Sequence, residues 1–329
     1  MENTPLVADY GSGVSKVGFS GTEAPLVVFP TILGKLRHDI WHHSFYQMLR
    51  VAPEQHPLML TEPPLSPNSY KEKVSQIMFE TFNVPALYIA NQGVLSLYAS
   101  GKTTGTTIES GEGMTYFVPI IDGCPLHQST MQLDVAGQDL TLYFMQLLTE
   151  SGHLFVSSDD REYIRGMKEK CCYVALDFEK EQAKAESPAF KRTYQLPDGQ
   201  EMDVGRERFF CPEALFNTSL IGRNTLGIHM VASQSVSSCD PTLWKNLFGN
   251  MVLSGGTGSC SGLRFRLQRE ISDVVSPSIN VQVSSCPYSM YGSWVGGSIL
   301  CSLSTFQDMW ITKEEYGDVG SSIVIRRSF

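Results

Sequence analysis

The chain has 329 residues, 42% of them hydrophobic, enough material for two cores. Its formal charge of −9 argues against a nucleic-acid partner, which calls for clustered Lys and Arg. No apolar run reaches the roughly 20 residues of a bilayer-spanning helix, and Met1–Pro5 has neither the basic start nor the apolar core of a secretory signal.

Residues 6 to 33 read as a β-meander around a tight turn. Leu6-Val7-Ala8 runs into Asp9 and Tyr10, then Gly11-Ser12-Gly13, then a second strand through Lys16 and Val17. Glycines let the backbone fold tightly and bring its N–H groups close to an anion. Ser12 adds a hydroxyl, Lys16 a mobile positive charge, and Asp9 a carboxylate able to hold a water on Mg²⁺. Alone, the pattern also fits an ordinary hairpin turn. It returns, however, at Glu109-Ser110-Gly111-Glu112-Gly113, between the strand-like runs Thr106–Ile108 and Met114–Tyr116. Two acidic-Gly hairpins suggest a duplicated unit whose turns face each other across a cleft.

Between the two turns, Trp41 to Leu49 reads as a helix. Ser66-Pro67 signals a helix start, with Ser as cap and Pro at the first position. Val74, Ile77, Met78 and Phe82 follow at helical spacing. Pro85 to Ile89 is expected as a strand, and Asn91 to Ser100 as a helix closed by Gly101. After the second turn come helices over Ala136–Ser151 and Asp159–Lys170, a hairpin at Asp198-Gly199, and a helix start at Asp240-Pro241. A third glycine cluster, Gly255-Gly256-Thr257-Gly258, follows the strand Met251–Leu253 and precedes an amphipathic helix near Leu263–Ile271. That layout suits a sugar, base or phosphate near a helix N-terminus. Trp294 to Phe306 is apolar and closes the chain. The 8 cysteines lack metal-ligand spacing, Cys171-Cys172 is expected to pack, and reduced thiols in a cytosolic or nuclear protein are expected. Strands alternating with helices, twice over, imply two α/β halves with a cleft between them.

Several long stretches resemble actin: IWHHSFYQMLRVAPEQHP (40–57), IMFETFNVPALYIANQGVLSLYASG (77–101), KEKCCYVALDFE (168–179), LPDGQ (196–200), CPEALF (211–216) and GGSILCSLSTFQDMWITKEEY (296–316). The resemblance covers nearly the whole length. It implies the actin fold, two ribonuclease-H-like lobes around a nucleotide cleft. The outer lobe would be 1–98 with 292–329, and the inner lobe 99–291, with crossings near Gln92 and Tyr291. Gly34-Lys35-Leu36-Arg37-His38 runs straight into Asp39, where actins carry a small subdomain with the loop that grips the next subunit. Most of that subdomain is therefore expected to be deleted at 38/39.

For the cleft the resemblance implies ATP or ADP with Mg²⁺. Gly11, Ser12, Gly13 and Lys16 match the first phosphate loop; Ser110, Gly111, Glu112 and Gly113 take the place of the second. Arg165, Lys168 and Glu169 match the nucleoside side, and Gly255, Gly256 and Thr257 the third cluster. Asp9 and Glu109 would act on the metal through water, and Gln92 matches the glutamine that positions the attacking water. The departures lie in the same places. Tyr10 replaces an Asn, Glu109 and Glu112 replace Asp, Tyr116 replaces a His, and Cys260 and Met290 replace a Tyr and a Lys beside the base. A Glu carboxylate overshoots a near-ideal Mg²⁺ octahedron. A phenol titrating near 10 serves poorly where an imidazole would hold a proton near pH 7. Hydrolysis is expected to be weak or absent.

The resemblance also implies a hydrophobic groove for partner helices, formed by Tyr98, Ala99, Gly101, Thr103, Gly123, Val295, Ile299, Leu300, Leu303, Thr305 and Met309. Some of these, Ile299 and Leu303 among them, also read as ordinary packing residues. The expected function is that of an actin-like cytoskeletal or scaffold protein of the cytoplasm. Its partners would be actin-binding-type proteins, other cytoskeletal proteins or conventional actin, with no nucleic acid and no membrane insertion. Alternatives are a polymerising actin ATPase and an actin-like subunit of a nuclear remodelling complex.

Overall fold

The structure is a computed structural model that describes residues 3–31, 37–153, 158–187, 190–195, 199 and 201–327. Its strands in chain order are β1 (Leu6–Tyr10), β2 (Val14–Phe19), β3 (Val27–Pro30), β4 (Leu58–Glu62), β5 (Ala86–Asn91), β6 (Gly105–Ser110) and β7 (Thr115–Ile121). They continue with β8 (Cys124–Pro125), β9 (Met131–Leu133), β10 (Arg192–Gln195), β11 (Glu201–Val204), β12 (Met251–Ser254), β13 (Val283–Ser285) and β14 (Ile311–Thr312).

Two sheets share one plan. The first runs β14-β5-β4-β1-β2-β3; the second runs β13-β12-β6-β7-β8, with β9 also on β7. In the first, β1 pairs antiparallel with β2 and parallel with β4, and β4 pairs parallel with β5. In the second, β6 pairs antiparallel with β7 and parallel with β12, and β12 pairs parallel with β13. The third strand of each meander, β3 or β9, lies antiparallel on the hairpin. The repeat seen as two acidic-Gly turns is thus a repeat of a whole sheet. The register makes the correspondence close: Asp9 lies opposite Lys16, and Glu109 opposite Tyr116. The same turn bond closes both hairpins, Gly11 N–H to Val14 O and Gly111 N–H to Met114 O, each 3.2 Å.

One core lies against the first sheet around Trp41, Phe45, Phe79 and Phe82; another lies against the second around Phe117, Phe144 and Phe248. A third joins the sheets through Val7, Met59, Leu95, Val118 and Trp294. Two helices make that junction. The helix Gln92–Ala99 leaves β5, and its cap Asn91 accepts from Gly93 N–H at 2.9 Å. The helix Gly292–Ser302 follows β13. Their backbones touch: a Cβ on Gly296 would sit 1.9 Å from Leu95 O. Each helix leans on the sheet it did not come from. Gly93 abuts Thr107 and Val118 of the second sheet, whereas Trp294 Nε1 donates to Val7 O of the first at 2.9 Å.

Some expectations shift. The meander ends at Pro30, and residues 32 and 33, like 34–36 of the deletion junction, lie outside the described residues. The helix expected at Trp41–Leu49 begins at Arg37, and over His43–Leu49 it winds with the wider i→i+5 repeat that buries Ser44, Phe45 and Leu49. Ser66 does not cap the next helix. Its N–H is held in the preceding turn by Pro63 O, and Pro67 takes the cap position before Asn68–Gln76. Asp240 does cap, accepting from Thr242 N–H at 2.8 Å. The expected hairpin joins β10 and β11; its Gly199 has φ +84°, and Asp198 lies outside the described residues. The apolar closing segment is helical over Gly292–Ser302 and continues as a tighter 3-10 turn over Ser304–Met309. All eight cysteines are free; Cys171 and Cys172 are buried in the second core.

Candidate functional site

The glycine turns of the two hairpins meet between the sheets. A Cβ on Gly13 would lie 3.0 Å from Glu112 Cβ, and one on Gly113 would lie 2.9 Å from Ser12 Oγ. The third cluster arrives at the end of β12. Gly255 has φ +89° and packs so close to Ser110 that a Cβ would stand 2.2 Å from its carbonyl oxygen. That position requires glycine on both counts. Beside it, Thr257 Oγ1 donates to Gly111 O at 2.7 Å. These clusters wall a cavity of about 570 Å³, within the range of small-molecule sites.

Every cleft residue expected from the sequence lines this cavity except Ser110, which is buried behind Gly255. Tyr10, Tyr116, Cys260 and Met290 line it too. The carboxylates differ in state. Burial acts to raise Asp9, but the adjacent Lys16 charge and hydrogen bonds from Lys16, Thr61 and Gln92 outweigh it, and its carboxyl lies below the ordinary value. Lys16 Nζ is 2.8 Å from Asp9 Oδ2; Thr61 Oγ1 and Gln92 Nε2 donate to Oδ1 at 2.6 and 2.9 Å. Lys16 is therefore buried and pinned, not mobile. Glu109 occupies the equivalent place in the second hairpin with Tyr116 opposite it in place of a lysine. Burial pushes its carboxyl up to about 7 against hydrogen bonds from Ser96 and Ser254, and its Oε1 has no partner. One methylene and one lost cation separate the two sites.

At the other end, Lys168 Nζ donates to Gly137 O at 2.7 Å and Thr141 Oγ1 at 2.9 Å, tying the helix Ser158–Cys171 to the helix Gly137–Glu150. Arg165 pairs with Glu162, while its buried Nε has no partner. Burial pushes the Cys260 thiol up to about 12, so it stands as a neutral, apolar wall where the nucleoside side was expected.

The cavity's size and its glycine walls are compatible with a nucleotide: beyond the chain neighbours, nothing lies within 4 Å of where a Cβ on Gly256 would stand. A protein-held Mg²⁺ fits poorly. Both Asp9 oxygens already accept hydrogen bonds, and among the described residues no group of three His, Cys, Asp or Glu could hold a metal. Thr61 was missed in the sequence. Its place beside Asp9 depends on β4 lying next to β1, an order no local pattern encodes.

The expected groove divides. Tyr98, Gly123, Leu300, Thr305 and Met309 line a pocket of about 190 Å³, joined by Tyr88, Val94, Leu95 and Phe306, which the sequence did not single out. Ala99 and Val295 are buried in the junction core instead. Gly101, Thr103, Ile299 and Leu303 are exposed and do not line the pocket.

Two sheets of one topology, joined by crossed helices and enclosing a glycine-walled cleft, define a two-lobed α/β protein of the actin-fold class. The sequence model of the actin family matches residues 36–329, and the chain belongs to the actin family. Residues 6–30, ahead of that match, supply three strands of the first sheet. Among the described residues no helix is long and apolar enough to cross a membrane.

Proposed function

We propose that the protein is a cytoskeletal or scaffold actin relative that holds ATP or ADP in the interlobe cleft and recruits partner helices through the pocket at Tyr98, Leu300 and Met309. The observation that carries this is the convergence of three glycine clusters on one cavity between two equivalent sheets. The lobes divide near 98/99 and 291/292, where the crossed helices lie. Gly11–Gly13, Gly111–Gly113 and Gly255–Thr257 hold the phosphates, while Arg165, Lys168 and Glu169 face the nucleoside. Any Mg²⁺ would ride on the nucleotide's own phosphates.

Turnover is slow in this reading. Gln92 spends its amide on Asp9 at 2.9 Å, and Tyr116 brings a phenol whose burial raises it further above neutrality. The bound nucleotide acts chiefly as a clamp between the lobes. With most of the small subdomain taken as deleted at 38/39, its work is done through partners in the cytoplasmic cytoskeleton, conventional actin among the candidates. Purified protein, heat-denatured and resolved by ion-exchange chromatography, should release adenine nucleotide at close to one per chain. If none is released, and added ATP or ADP leaves the melting temperature unchanged, the nucleotide reading falls.

A further inference from the structure

We propose that the outer face of the helix Leu263–Val274 is a second docking surface, and that its occupant is an acidic protein segment carrying an apolar anchor. Leu263, Leu267 and Ile271 turn the inner face of this helix into the core, where all three are fully buried. Along one flank the helix is bonded to the segment 174–176. Val174 N–H donates to Ser261 O, just ahead of the helix, at 2.8 Å. Arg266 Nη1 donates to Ala175 O at 2.8 Å, and Arg269 Nη1 to Leu176 O at 2.7 Å. These bonds, in step, bring Leu176 up beside the exposed stripe of the helix. Phe265 stands on that stripe one turn before Arg269. It is 60% exposed, the most open aromatic side chain among the described residues, and Leu176 is 53% exposed. One such side chain alone needs no explanation, but two set about a single arginine make a patch.

The charges around the patch define what covers it. The chain carries −9 overall, yet the cations here are unspent. Arg264 lays its guanidinium over the Phe265 ring, 4.0 Å from the centroid, and forms no ion pair among the described residues. Arg269 reaches only Glu270, at 3.9 Å, and that carboxylate is taken by Arg266 at 2.6 Å. Asp177, next to Leu176, is held by Lys180 at 2.8 Å. Asp273, one turn beyond Arg269, is in no ion pair either and lies at the far end of the stripe. A segment with carboxylates laid across the patch meets two forked guanidinium donors, and its apolar anchor covers Phe265 and Leu176. A basic segment would set its charges against both arginines.

The probe is a helix-forming peptide of about four turns, with Phe and Leu on one face and Glu on the other. One counterpart carries Lys in place of Glu, and another Ala in place of Phe and Leu. Fluorescence anisotropy with the full chain should give the acidic peptide a Kd of about 10 to 100 µM. Both counterparts should bind at least about tenfold more weakly. Phe265→Ser and Arg264→Glu, neither of which touches a core position, should each weaken the acidic peptide by about tenfold. No binding of the acidic peptide in that range, or equal binding of the Lys peptide, overturns the proposal. Binding kept in Phe265→Ser and lost in Met309→Glu would seat the peptide in the pocket at Tyr98 and overturn it as well.

Discussion

His229 shows how one half-buried side chain makes stability depend on pH. It stacks on Phe216 with ring centroids 5.7 Å apart, and its Nδ1 is buried without a partner. Burial holds the imidazole below its ordinary 6.5; Glu270 opposes the shift and Arg266 reinforces it. The folded state therefore disfavours the proton that the unfolded state accepts. The stabilising contribution is complete above the unfolded value and is lost as pH falls from there through the folded value. The melting temperature should drop on acidification from about pH 7 to about pH 5, and His229→Phe, which keeps the stack, should flatten that drop. An identical slope in the variant would place the sensitivity elsewhere. Nothing in the sequence around His229 announced this role, because it depends first on the packing that buries the ring, and only then on Glu270 and Arg266 brought up on another helix. Asp9 and Glu109 were the opposite case. Their acidic-X-Gly-X-Gly turns marked them locally, and only their states, one paired and one raised by burial, required the register.

At the level of elements, the crossing of Gln92–Ala99 over Gly292–Ser302 is the most demanding contact in the fold. A Cβ on Gly296 would stand 1.9 Å from a backbone oxygen and 2.4 Å from its carbon, neither of which can swing aside. Gly296→Ala should therefore destabilise by about 3 kcal/mol, at the upper end for overpacking. Gly317 offers the control. It lies in the helix Lys313–Val319 with no atom within 4 Å of a Cβ, and Gly317→Ala should gain a few tenths to about 1 kcal/mol through helix propensity. Urea denaturation of both variants separates the two cases; equal midpoints would mean that the helices can part without cost. The helices were legible from Asn91, from Gly101 and from apolar content. Their crossing was not, since Gly296-Gly297 reads equally as a break in a helix.

For the whole molecule, the duplication was readable in the repeated turns, and the resemblance to actin carried the two-lobed architecture. The strand order was not, because β4, β5 and β12, β13 join their sheets through long crossovers that leave no local trace. The groove was half legible: its pocket is completed by Tyr88 and Phe306, brought together by β5 and the closing turn from distant parts of the chain. Assembly belongs to this scale as well. With the chain running directly from His38 to Asp39, we propose that the longitudinal contact of actin filaments has lost one of its two sides. Sedimentation in Mg²⁺ and salt should leave the protein in the supernatant at micromolar concentration, and robust pelleting without a partner would refute the proposed deletion's effect.

We propose that the crossed helices also work as a see-saw. Gln92, at one end of its helix, donates to Asp9 in the cleft, while Tyr98, near the other end, lines the pocket that Leu300 closes from the second helix. The backbones are pinned where Gly296 meets Leu95, so a tilt that brings the glycine turns together must also change the spacing of Tyr98 and Leu300. On this proposal a ligand at one end would alter affinity at the other, and thermodynamic linkage would make the effect equal in both directions. A partner peptide measured with and without nucleotide should show the same ratio as nucleotide measured with and without the peptide. The fulcrum, and not either binding surface, sets the size of that ratio.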